Sequence, residues 1–202
     1  MTLWKLTDKD GRTYGGMQWG EGIEHTAPGG GLLCTAAWIH AYTDPLLTMF
    51  LDPIGANFGP TARLWEAEGD VGAEDHGLKV GCTRLRTLRE VPLPQITLEQ
   101  RARFGVLCAR AVYQDPTWNA WANDWLSGKD RSEAAAEQSA LSAAASEAAK
   151  AKRATAAAWA AEEQSAASVA WAAAKAAAWA VAAKATTPLD LPALAQKAIE
   201  VT

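Results

Sequence analysis

Thr83-Arg84-Leu85-Arg86-Thr87, inside the longer run Leu78 to Val91, decides the fold class. In an extended chain its arginines fall on one side and Leu85 on the other, the alternation that a half-buried strand requires. Ala62-Arg63-Leu64-Trp65-Glu66-Ala67-Glu68 upstream reads as a companion strand, and Leu3 to Leu6 as an earlier one. Asp8-Lys9-Asp10-Gly11 supplies turn chemistry before a further extended segment, Thr13 to Trp19, so a hairpin is expected to open the domain. His25-Thr26-Ala27-Pro28-Gly29-Gly30-Gly31 reads as loop, because consecutive glycines lose too much backbone entropy inside a strand or helix. Leu32 to Cys34 is expected to re-enter the sheet.

Helical signals sit around these strands. Asp44-Pro45 starts a short apolar helix, Leu46 to Leu51, with Asp44 as cap and Pro45 where its missing N–H costs nothing. Pro53, Gly55, Gly59 and Pro60 then form a loop. Thr97-Leu98-Glu99-Gln100 is a capping box, followed by Phe104, Leu107, Cys108, Ala111 and Val112 as one apolar helical face expected to pack on the sheet. Asp115-Pro116-Thr117 starts another helix, which carries Trp118, Trp121 and Trp125 and is closed by Gly128. Strands first and helices after argue for an α+β fold. The expected organisation is a β-rich domain over 1–95, a helical pair packed on it over 96–130, an alanine-rich helical tail over 131–187 and a short helix over 188–202.

From Ser132 to Thr187 there is no glycine or proline, and alanine, the strongest helix former, dominates. One unbroken helix of that length would span about 80 Å. Charges such as Glu147, Lys150, Lys152, Arg153, Glu162, Glu163 and Lys175 interrupt it throughout, so it is not read as a membrane span. On a helical wheel Leu141 and Trp159 share a face, whereas Trp171 and Trp179 lie roughly 120° and 200° around from it. Tryptophans on several sides require burial on several sides. Trp159, Trp171, Trp179 and Val181 are therefore the expected oligomer interface, in a multi-chain bundle or coiled coil or in a helical hairpin bending near Glu162-Glu163-Gln164-Ser165. Beyond Pro188, Leu191, Leu194, Ala198 and Ile199 form an apolar stripe on a last short helix.

Composition narrows the function. The 202 residues carry a formal charge of -4, without the basic excess through which nucleic-acid binders neutralise phosphates. Cys34, Cys82 and Cys108 are an odd number, and Met1 to Asp10 holds no apolar signal core, so free thiols in a cytosolic protein are expected. Cys34, His40 and Tyr42, with His25, His76 and Cys82, lack the paired spacing of zinc sites, and no metal or cofactor is expected. Cys34 or Cys82 with His40 or His76 as base would make a nucleophilic pair, but the spacing does not bring them together. Glu66 and Glu68 read as the solvated side of a strand rather than as an acid pair. The glycine run has neither P-loop nor dinucleotide spacing. His40 and Tyr42, with Arg84 and Arg86 for an anion, are the ligand-binding candidates beneath the Gly29–Gly31 loop. No catalytic residue is assigned.

Leu33-Cys34-Thr35, His40-Ala41-Tyr42-Thr43-Asp44-Pro45-Leu46-Leu47, Leu64-Trp65-Glu66-Ala67-Glu68-Gly69 and Gly77-Leu78-Lys79-Val80-Gly81-Cys82 resemble segments of a group of uncharacterised tailed-phage and prophage proteins. The likeness continues through Glu99-Gln100-Arg101 and Trp125-Leu126-Ser127-Gly128-Lys129-Asp130-Arg131-Ser132 into an Ala/Trp-rich tail. It implies a viral setting and no particular chemistry. The expectation is a non-enzymatic phage accessory protein of the host cytoplasm or the virion. It would act on a host or phage protein and self-associate through its tail, with no membrane or nucleic-acid partner. The alternative is an anti-defence protein that sequesters a nucleotide or small signal in its N-terminal domain.

Overall fold

The computed structural model describes residues 1–51, 58, 61–75, 77–112, 114–132, 135 and 189–200. His76 and nearly all of the alanine-rich segment, including Trp159, Trp171, Trp179 and Val181, lie outside them. The described residues divide into two compact units: Met1–Gln95 with Asp190–Pro192, and the remainder from Ile96 onward. An antiparallel sheet of five strands together with helices gives the α+β class.

The first unit is built on the hairpin of β4 (Arg63–Glu74) and β5 (Val80–Val91). β1 (Leu3–Thr7) pairs along the start of β4, from Leu3 opposite Ala67 to Thr7 opposite Arg63. β2 (Glu24–Thr26) and β3 (Ile39–Ala41) share the other side of β5, β3 beside Val80–Cys82 and β2 beside Arg84–Arg86. Trp4 and Tyr42 exchange two backbone hydrogen bonds of 2.9 Å. They join the remaining edge of β1 to the chain leaving β3, so β1, β4, β5 and β3 run as a ring. Leu3, Trp19, Ile39, Ala41, Ala67, Val80, Cys82 and Leu85 form its core. At Gly69 a Cβ would stand 2.3 Å from the Arg84 carbonyl oxygen, so the close approach of β4 to β5 there requires glycine.

Two expectations about this unit fail. Thr13 to Trp19 is not a strand: Tyr14–Gly16 is a 3-10 turn in which Gly15 and Gly16 take φ of 82° and 77°. Only an Arg12–Gln18 bridge survives, and β1 finds its partner in β4 instead. Leu32 to Cys34 does not re-enter the sheet either, because Gly29, Gly30 and Gly31 all adopt positive φ and carry the chain outward. β4 also continues past Glu68, the end of the expected strand, to Glu74.

The helix starts form as the local chemistry dictates. α1 (Pro45–Phe50) is capped by Asp44, which accepts from the amides of Leu46 at 2.8 Å and Leu47 at 3.3 Å. In the second unit, α2 (Leu98–Val112) begins at the capping box: the Thr97 amide donates to Gln100 Oε1 at 2.9 Å and the Gln100 amide to Thr97 Oγ1 at 3.1 Å. Asp115 caps α3 (Pro116–Leu126), and Gly128 at φ 76° ends it. Phe104, Leu107 and Cys108 of α2 are buried as expected, but Ala111 is exposed. A further face at i, i+4 and i+7, Ala102, Val106 and Ala109, packs against Trp118, Ala122 and Trp125 of α3. Small side chains on α2 leave room for the large ones on α3. Arg131 ties this pair together, donating to Glu99 at 2.6 Å and to the Trp125 carbonyl at 3.1 Å. α4 (Leu191–Ile199) buries Leu191, Ala195 and Ala198.

Candidate functional site

Reactive side chains converge where β3 meets the start of β5. Lys79 immediately precedes β5, and Cys34 lies in the turn before β3. The Lys79 ammonium donates to Cys34 Sγ at 3.1 Å. His40, on β3, donates from Nε2 to the Leu33 carbonyl at 2.6 Å. Its pKa is lowered, chiefly by burial and then by the charges of Lys79 and Lys5 against an opposing contribution from that hydrogen bond, so the ring is neutral at pH 7. Trp38 lies over this end of the sheet. A Cβ at Gly81 or Gly72 would fall within 3.0 Å of its ring, and Gly29 at the head of the glycine run also borders it.

Beneath this surface, Lys5 enters the ring. It shares a strand face with Leu3 and Thr7, is almost fully buried, and donates from Nζ to the His40 carbonyl at 2.7 Å. Its ammonium stands 5.1 Å from the centroid of the Trp19 ring. No carboxylate pairs with it among the described residues, and burial lowers its pKa to about 8. Cys82, in the same core, is raised by burial to about 11, and Cys108 of α2 to about 12.

The four ligand-binding candidates fall into two places. His40 and Tyr42 border the start of β5; Tyr42 is buried and its hydroxyl donates to the Leu51 carbonyl at 3.3 Å. Arg84 and Arg86 lie farther along β5 beside β2. Gly81, the partner of His40, is separated from Arg86 by about 17 Å at the usual rise of a strand. Arg84 is held by Asp70 at 2.9 and 3.1 Å and by Glu24 at 3.2 Å, which lowers the Asp70 pKa. Glu66 accepts from Arg89 at 2.8 Å, while Glu68 is exposed. Arg86 is exposed, with no ion-pair partner among the described residues. His25 donates to the Gln18 carbonyl at 2.7 Å and meets Trp19 edge-on. Among the described residues no group of three His, Cys, Asp or Glu side chains is placed to hold a metal ion.

Sequence reasoning missed Lys5 and Lys79. Lys79 gives no local signal, because its contact with Cys34 spans 45 positions. Lys5 carries one: in Leu3-Trp4-Lys5-Leu6 it stands on the same side of the strand as Leu3, a core residue. Comparison with protein-family models, with curated proteins and with solved structures finds no match to this chain.

Exposure separates the three thiols. Cys34 is open to solvent, whereas Cys82 and Cys108 are buried and protonated at neutral pH. Iodoacetamide at pH 7.5 is expected to alkylate Cys34 alone in the native protein and all three cysteines in guanidinium. Peptide mass mapping reads the difference, and native labelling of Cys82 at the rate of Cys34 would contradict the buried ring.

Proposed function

We propose that this chain is a phage accessory protein that acts by protein–protein interaction and self-associates through its Ala/Trp-rich segment, 131–187. The observation that carries the reading is the placement of Trp159, Trp171, Trp179 and Val181 around the circumference of a helical sequence, a pattern that calls for apolar contact on several sides. The first unit supports it as well. His40, Tyr42 and Arg84 are already bonded to groups of the protein itself, which favours recognition by surface over a small-ligand site. Among the described residues no helix is long and apolar enough to cross a membrane. The host cytoplasm is the setting that the phage resemblance favours. The nucleotide or small-signal reading would require His40 and Tyr42 to act with Arg84 and Arg86 across two separate parts of β5.

Light scattering on the full chain is expected to give a mass of at least twice the 21.4 kDa of one copy. A chain carrying Trp159→Glu, Trp171→Glu and Trp179→Glu is expected to give the mass of one. A full-length monomer at micromolar concentration would remove the self-association claim.

A further inference from the structure

β1 covers only the first part of the outer edge of β4. Its register ends with Leu3 against Ala67, while β4 continues to Glu74. Among the described residues no strand pairs with Glu68–Glu74 on that side, because β2 and β3 both pair with β5. Glu68, Asp70, Val71, Gly72 and Glu74 are exposed, Val71 at 41%. Such an edge presents backbone N–H and C=O groups to water and is a template for an incoming strand.

Charge selects the occupant. β4 has no basic residue after Arg63, and its open part holds Glu68, Asp70 and Glu74. Asp70 is engaged by Arg84, but Glu68 and Glu74 have no ion-pair partner among the described residues. A second copy of this edge would set acid against acid, which destabilises a strand pair. Shifts of register on both sides of Val71 bend the strand and limit regular pairing to a short stretch.

We infer that the outer edge of Glu68–Glu74 docks a short extended segment of a partner protein bearing lysine or arginine at alternating positions, by strand addition. The inference rests on the reading of the chain as a protein-binding protein and names the surface and the partner's chemistry.

Hydrogen exchange on the full chain tests it, using a short alternating Lys–Val peptide as probe and an alternating Glu–Val peptide as control. With the Lys–Val peptide, the amides of residues 68–74 that are open to water should slow by about tenfold or more. With Glu–Val they should not change. Absence of slowing, equal slowing by both peptides, or slowing confined to other residues overturns the proposal. A Glu68→Lys/Glu74→Lys chain, checked for its fold by circular dichroism, should exchange the preference for Lys–Val for one for Glu–Val. Retention of the parent's preference would also overturn it. These outcomes do not depend on the light-scattering result: a monomer that protects its 68–74 amides loses only the self-association claim, and an oligomer that does not protect them loses only the docking edge.

Discussion

Replacing Lys5 with methionine is expected to stabilise the protein at pH 7 by about 2 kcal/mol, seen as a melting temperature higher by about 4–8 °C. The ammonium is buried without a carboxylate and its pKa falls from 10.5 to about 8, so holding it charged costs about 3 kcal/mol. Losing its bond to the His40 carbonyl returns about 1 kcal/mol of that. Methionine fills similar space beside Trp19 without the charge.

The same group sets a pH signature. Its folded pKa lies below the unfolded value, so between about 8 and 10.5 the unfolded chain binds more protons and stability rises with pH. Cys82 and Cys108 act in the opposite sense. Their folded values of about 11 and about 12 exceed the reference of 9.0, so each removes stability as pH rises above 9. Together the three groups place a shallow maximum near pH 9, a net rise of about half a kcal/mol from pH 7, because the thiols offset more than half of the lysine's contribution. Urea titrations across pH 7 to 10 should show that rise in the parent and not in Lys5→Met. A less stable Lys5→Met at pH 7, or an unchanged rise, would sink the assignment.

Trp118→Ala is expected to loosen the α2–α3 pair by about 3–5 kcal/mol, the usual result of removing a fully buried indole. Trp118 is completely buried against Ala102, Val106 and Ala109, small side chains that cannot close the space it would leave. Amide exchange in α2 and α3 should accelerate by about two to four orders of magnitude. Conservative Trp118→Phe should keep most of the protection. Exchange unchanged in the alanine variant would show that the pair does not depend on this contact.

What could be read from the sequence follows the distance over which each interaction acts. Asp44, Asp115 and the Thr97–Gln100 box hold amides within three positions, so a short window contains both partners. The alternation around Leu85 is local in the same way. β2 and β3, at three residues each, are too short to show a period, and their positions are fixed by β5 far along the chain. The Ala102–Val106–Ala109 face was overlooked because alanine looks neutral until a tryptophan is placed against it. At the candidate site, His40 and Cys34 were legible as reactive types. Lys79 was not, because its contact with Cys34 spans 45 positions; Lys5 was marked only by sharing a strand face with Leu3, and the carbonyl that holds it, that of His40, comes from 35 positions away.

The closing of the ring also dictates an order of events during synthesis. β1 is made well before β4, and its two neighbours in the ring, Tyr42 and then Arg63–Ala67, both follow it later in the chain. Until β4 emerges from the ribosome, Leu3 and Leu6 have no complete shelter and Lys5 remains hydrated. The nascent segment is therefore exposed to chaperones or to neighbouring chains for as long as β4 takes to be translated. Burial of the lysine coincides with the arrival of β4 and β5, the last strands of the ring.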